Sequence, residues 1–201
     1  MRFWRNTNIA AQTVGQTAIL PSGTLGYEWD EDIDNGFRPP GLFRLSTTTV
    51  AGAPVLTDYG STFASGTSTH HLTLYRAESG ALVFGAGTIH WSWGLDQNHD
   101  DSFGQGGDPA DPRMQQAMVN LFADMGVQPA TLQSGLVPAT TSTDNTAPGS
   151  VILSPASGAT VPPGVPLTIA GSATDAGGGV VGGVEVSVDA GATWHPATGR
   201  A

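Results

Sequence analysis

The chain has 201 residues, room for one well-buried core or for a medium domain and a small one, but not for two large ones. Its 28 glycines and 14 prolines, with only 12% charged residues, describe short strands and many turns rather than a helical bundle. Seventeen acidic residues outweigh seven basic ones, all arginine, and the net charge of -10 repels phosphate backbones and anionic headgroups, which argues against nucleic acid or a membrane surface as partner.

The first residues, Met1-Arg2-Phe3-Trp4-Arg5-Asn6, form no apolar leader core, and nowhere do eighteen apolar residues run together. If the protein is exported, its signal is expected upstream. Strands are predicted at residues 41–47 and 50–56. Residues 71–76 alternate, residues 78–80 turn, and residues 81–86 form a short apolar run, which predicts a hairpin or two neighbouring strands. The second run lacks alternation and is expected to be buried on both faces. A helix follows, with Asp111 as N-cap, Pro112 in the first position and Gly126 after the end. Met114, Ala117, Met118, Leu121, Phe122 and Met125 recur at helical spacing and form its expected core face. The succession of strand, Gly-rich loop and helix between residues 81 and 125 has the α/β rhythm.

Residues 138–148 are small and polar, without an anchor for a core, so the domain joint is placed there; a long surface loop within one domain is the alternative. Beyond it, residues 150–153, 165–173 and 184–188 read as short strands separated by Gly, Pro and Asp turns, the spacing of a β-sandwich. Only three or four strands fit where a sandwich uses about seven. An open edge is therefore expected, to be completed by a partner chain or a second copy.

Chemistry-bearing residues are few. His70 and His71 are adjacent and in a strand point to opposite faces, so either is a ligand candidate or a structural strand-end residue. His90 follows a Gly-rich turn at the expected C-terminal end of a strand, where α/β sheets build their sites. Its neighbours Trp91 and Trp93 line a pocket or cap the core, and the core is the preferred reading. The acidic run from Glu28 through Asp30 and Asp32 to Gly36 starts like an EF-hand loop, but its glycine falls one place late, no glutamate closes it, and Pro39-Pro40 forbids the next helix. A calcium site of another kind, there or at Asp96, Asn98, Asp100 and Asp101, competes with two hydrated acidic loops. The absence of cysteine removes disulfides, thiolate metal sites and cysteine nucleophiles. No Gly-x-Ser-x-Gly, no His-Glu-x-x-His and no phosphate-loop lysine occurs, and glycine clusters such as Gly104-Gln105-Gly106-Gly107 stand alone.

Several blocks in order carry a resemblance: Gly23-Thr24-Leu25-Gly26-Tyr27-Glu28-Trp29-Asp30-Glu31-Asp32, Asn35-Gly36-Phe37-Arg38-Pro39-Pro40, Thr69-His70-His71-Leu72, and Val83-Phe84-Gly85-Ala86-Gly87-Thr88-Ile89-His90-Trp91-Ser92-Trp93. Together they resemble the C-terminal domain of the N,N-dimethylformamidase large (beta) subunit family, and the likeness continues through the helix to Pro129. The segment from Asp144-Asn145-Thr146-Ala147-Pro148 to Val161 is similar to the opening of bacterial Ig-like modules. Residues 184–194 also resemble the Ig-like dimerisation domain of sulfite-oxidase-type enzymes, a likeness of scaffold alone.

The resemblance implies a partial α/β, glutamine-amidotransferase-like domain at 1–137, a linker at 138–148 and a partial all-β immunoglobulin-like sandwich at 149–201. It also implies an extracellular or cell-surface setting in a bacterial multidomain protein. Active members of the family hydrolyse an amide with iron bound by two tyrosines and a glutamate, with a histidine two residues before the glutamate. Glu28 matches that glutamate, Gly26 stands in the histidine's place, and the tyrosine segments would precede residue 1. The resemblance and the residue reading together give catalytic candidates Glu28 and His90 and metal candidates Glu28, Asp30, Asp32, His71 and His90, the cation being iron, as the resemblance implies, or calcium, as the acidic run suggests. Three functions compete: an accessory portion of an exported protein, a metal-dependent amide or ester hydrolase, and a carbohydrate binder using Trp29, Trp91 and Trp93.

Overall fold

A computed structural model describes residues 2–13, 15–99 and 109–199. It divides into two compact units, Met1–Thr141 and Ser142–Ala201. In the first, five strands are described: β1 (Phe43–Arg44), β2 (Thr48–Thr57), β3 (Thr62–His70), β4 (Thr73–Arg76) and β5 (Leu82–Gly85). β1, β4 and β5 form a three-stranded antiparallel sheet in which Phe43 faces Leu74 and Tyr75 faces Val83. β2 and β3 make a separate antiparallel ladder, from Thr48 opposite His70 to Thr57 opposite Thr62, with a register shift at Gly52. Its tip, Asp58–Gly60, turns through left-handed backbone at Asp58 (φ 50°) and Tyr59 (φ 54°), and the Tyr59 ring is fully exposed.

The helix α1 (Pro112–Asp124) begins as its sequence dictates, with the Asp111 carboxylate accepting from Arg113 N–H at 2.8 Å. Burial alone would raise the Asp111 pKa, but the Arg113 guanidinium and backbone N–H hold it below the ordinary value. Met114, Ala117 and Leu121 are buried against Phe3, Trp4, Leu45, Leu72 and Trp91, which is the core of the unit. The 3-10 turn Arg2–Trp4 supplies two of these, and its Trp4 indole donates to Leu45 O at 3.1 Å. Another 3-10 helix, Ile89–Gly94, packs under the start of α1, where a Cβ at Gly94 would overlap Met114 Sδ. Phe122 and Met125, expected in the core face, are 44% and 41% exposed.

Two polar residues take their place on the buried face. Asn120 is completely buried and donates from Nδ2 to Phe3 O at 2.9 Å and Arg5 O at 2.7 Å. Gln116 donates to Asn120 Oδ1 at 3.0 Å and exchanges hydrogen bonds with the Val137 backbone, both at 2.9 Å. Arg2 and Arg5 then close on Asp124 and on Thr140 O, so α1 holds both the first residues and residues 137–140.

The α/β, glutamine-amidotransferase-like expectation is corrected by these ladders. Every described strand pair is antiparallel, and α1 is the sole α-helix among the described residues, which therefore contain no β-α-β crossover. The element after β5 is a 3-10 helix and not the start of a crossover, because Ile89 to Gly94 turns back under α1. Nor is β5 buried on both faces, since Val83 is 38% exposed. Small antiparallel sheets, with a single helix on one side, describe the unit.

The second unit contains β6 (Gly149–Ser154) paired with β7 (Ala170–Thr174), and β8 (Glu185–Val186) paired with β9 (His195–Pro196). Gly171 is required in β7, because a Cβ there would overlap Val151 O. Residues 165–169, read as part of a strand, precede β7 without strand pairing. Ala173 is the unit's one buried apolar residue among those described. At the turn before β9, Thr193 and Ser187 hydrogen-bond Asp189 and lower its pKa to about 2.

Candidate functional site

Residues 26–31 run alongside residues 70 and 87–89. Asp30 N donates to Gly87 O at 2.9 Å and Ile89 N to Glu28 O at 3.1 Å, with bridges between Trp29 and Thr88 and between Glu31 and His70. The Thr88 hydroxyl ties this pairing down, donating to Thr24 O and accepting from Gly26 N, each at 3.2 Å. The acidic run and the Gly-rich turn before His90, far apart in sequence, therefore meet through their backbones.

His90 lies in the 3-10 helix, with its imidazole stacked on Trp93 at 3.7 Å between centroids and 9° between planes. The other face of Trp93 carries His99 at 4.3 Å and 7°, and Tyr27 tilts over His90 at 6.0 Å. His90 Nδ1 lies 3.2 Å from Gly23 O. A Cβ on Gly26 would come within 2.7 Å of His90 Nδ1, so the imidazole fills the space a side chain at position 26 would use. Tyr27 itself sits in left-handed backbone (φ 60°) and is exposed.

Each remaining candidate has its own surroundings. Asp32 accepts from Arg38 Nε at 3.1 Å and Arg44 Nε at 2.9 Å, so both carboxylate oxygens face guanidinium groups. The Arg38 side chain is 3% exposed. His71 Nδ1 lies 2.9 Å from Ser46 O and 3.2 Å from Thr47 Oγ1; a carbonyl only accepts, so Nδ1 carries the proton. His70 Nε2 donates in the same way to Ala86 O at 2.8 Å. Burial lowers the pKa of both histidines, favouring neutral rings. Glu28 and Asp30 are exposed. Glu31, outside the candidate set, takes the local hydrogen bonds instead: Ser68 and the Thr69 N–H lower its pKa.

Among the described residues, no three His, Asp or Glu side chains converge on a point able to hold a cation. The backbone pairing brings the Glu28 and His90 segments together, whereas Asp32 and His71 serve the arginines and the β1–β2 loop. Asp96 Oδ1 is occupied by Asn98, at 2.7 Å from N and 3.0 Å from Nδ2; Asp100, Asp101 and the cluster Gly104 to Gly107 lie outside the described residues. A cavity of about 550 Å³ opens beside the core, lined by Trp4, Ile9, Leu20, Leu45, His70 and Trp91 among others, but by neither Glu28 nor His90. Trp91 belongs to the core, its ring edge-on to Phe84 at 5.7 Å, and Trp93 has an imidazole on each face. Sequence reasoning missed the stack because His99 follows Trp93 at a loop spacing with no periodic signature.

Residues 1–102 match the family described as N,N-dimethylformamidase beta subunit-like, C-terminal, and residues 148–199 match the family described as Bacterial Ig domain. No curated protein matches the chain, and no solved structure does. With half its length covered by the first match, the chain belongs to the N,N-dimethylformamidase beta subunit-like, C-terminal family and carries a bacterial Ig domain after it.

Proposed function

We propose that the chain is an accessory, non-catalytic portion of an exported bacterial multidomain protein, its first unit a scaffold and its Ig-like unit a spacer or interaction module. The observation that carries this reading is the employment of the candidate ligands. Asp32 is held between Arg38 and Arg44, His71 is bound to the Ser46 carbonyl, and His90 is stacked on Trp93. A metal site needs such donors free and convergent. The Bacterial Ig domain match supports the extracellular or cell-surface setting. Purified chain, incubated with ferrous iron, zinc or calcium and gel-filtered, is expected to retain less than ~0.1 equivalent of metal and to turn over no amide or ester. Near-stoichiometric retention with hydrolysis would overturn the reading.

A hydrolase is the second reading, favoured by one observation. The His90 imidazole occupies the space beside Gly26, two residues before Glu28, and so places an imidazole next to the carboxylate's segment from another part of the chain. On this reading Glu28 is the metal ligand and His90 the proton carrier. Loss of turnover in both Glu28→Gln and His90→Gln, with folding retained, would support it.

A further inference from the structure

The cavity of about 550 Å³ beside the core of the first unit falls in the range of about 300–1,000 Å³ that small-molecule sites occupy. Packed interiors hold few voids larger than a water molecule, so a space of this size against core residues is more than a packing defect. Trp4, Leu45, Leu72 and Trp91, each between 1% and 8% exposed, supply its apolar lining. None of the described lining residues is Asp, Glu or Arg, although the chain carries seventeen acidic and seven basic residues. Burial lowers the pKa of His70, the titratable group of the lining, and favours its neutral ring. An ionic ligand entering here would leave water without meeting a counter-charge, whereas an uncharged one gives up little hydration.

Most polar groups of the lining are already employed. Trp4 Nε1 donates to Leu45 O at 3.1 Å, Thr24 Oγ1 to Pro21 O at 2.8 Å and His70 Nε2 to Ala86 O at 2.8 Å, while Ser46 Oγ accepts from Leu72 N at 3.1 Å. Trp91 is the exception. It is 8% exposed, and its buried Nε1–H finds no acceptor among the described residues. An indole can only donate, and buried donors are paired in the great majority of proteins. We infer that the cavity binds an uncharged, ring-bearing small molecule whose carbonyl oxygen accepts from Trp91 Nε1, with its ring against Trp4, Leu45 and Leu72. A sugar, with a hydroxyl to satisfy at almost every carbon, suits such a lining poorly. The inference goes beyond the accessory reading and stands apart from it, because neither Glu28 nor His90 lines the cavity.

Coumarin, a neutral bicyclic lactone, is the probe, with coumarin-3-carboxylate as its charged counterpart and glucose as the sugar. Each is titrated into the full chain and read through the ¹H–¹⁵N resonances of the indole rings, that of Trp91 being assigned by its loss in Trp91→Phe. Coumarin is expected to bind with a dissociation constant below about 1 mM and to move the Trp91 resonance downfield, leaving Trp194 of the second unit in place. The carboxylate and glucose are expected to bind at least tenfold more weakly. Ala18→Trp, which adds bulk at a half-buried lining position outside the core, is expected to weaken coumarin binding at least tenfold with the circular dichroism unchanged. This variant decides the matter should Trp91→Phe fail to fold. A cavity filled by water only, with no coumarin bound at 1 mM, overturns the proposal. So do an unmoved Trp91 resonance, a carboxylate or glucose that binds as well as coumarin, and a folded Ala18→Trp protein that binds coumarin as the parent does. Failure of the accessory reading would appear instead as turnover of an amide or ester.

Discussion

Replacing Asn120 by Ala removes a side chain with no exposed surface and three hydrogen bonds, to Phe3 O, to Arg5 O and from Gln116. Their losses differ. Phe3 is 3% exposed, so its carbonyl would be left dry, at a cost of about 1–3 kcal/mol. Arg5 is half-buried, and water can reach its carbonyl for about 1 kcal/mol or less. Gln116 keeps its bond to Val137 O at 2.9 Å and loses little. The sum is about 2–4 kcal/mol, before the small cavity left by the amide is added. Urea unfolding followed by tryptophan fluorescence reads it, because Trp4, Trp29, Trp91 and Trp93 all belong to the first unit. Phe122→Ala, on the same helix but 44% exposed, is the control, expected to cost less than about 1 kcal/mol. An Asn120→Ala protein within about 0.5 kcal/mol of the parent would refute the claim that this amide ties α1 to the first residues.

Further expectations follow from the same contacts. Asp32→Asn removes the carboxylate charge facing the buried Arg38 guanidinium and Arg44, and is expected to cost about 3 kcal/mol, while Asp30→Asn, at an exposed position, is expected to be silent in the same urea titration. Gly26→Ala pushes a methyl into His90 Nδ1; loss of near-ultraviolet circular dichroism from Trp93, at a stability cost of about 1 kcal/mol, is expected, and an unchanged spectrum would show that the imidazole does not fill that space. His70 and His71 have folded pKa values below the ordinary 6.5 because of burial, so the unfolded chain binds more protons in that range. Their contribution is complete above about pH 6.5 and is lost as the pH falls below it. The urea midpoint is expected to drop between pH 7.5 and 5.5, and the drop to shrink in His70→Asn.

What the sequence made legible was local. The Asp111 cap and Pro112 start of α1 are encoded in a few residues, and the apolar stripe carried Met114, Ala117 and Leu121 into the core. The same stripe misassigned Phe122 and Met125 and overlooked Gln116 and Asn120, because periodicity records apolar spacing and not which carbonyls of a distant segment need donors. The strand, loop and helix order at residues 81–125 fits α/β and antiparallel arrangements equally. Only strand direction separates them, and that depends on pairing between β1, β4 and β5 across some forty residues. β3 went unread because Thr, Ser, Ala and Gly give it no apolar alternation; its register with β2 supplies the order that its composition lacks. The site was legible as residue types but not as contacts. The Asp32 arginines, Arg38 and Arg44, stand six and twelve positions away at no motif spacing, and the Trp93 stack depends on a loop bringing His99 back.

The claim on which the rest depends is that the His70 and His71 imidazoles hold the fold together through carbonyls and stay neutral. Long-range ¹⁵N–¹H correlation of the histidine rings at pH 7, before and after addition of ferrous iron, zinc or calcium, reads both protonation and ligation. Expected are an Nε2–H tautomer for His70 and an Nδ1–H tautomer for His71, each unmoved by metal. Exchanged tautomers, or ring nitrogen resonances of His71 or His90 that shift or vanish with one equivalent of metal, would contradict it.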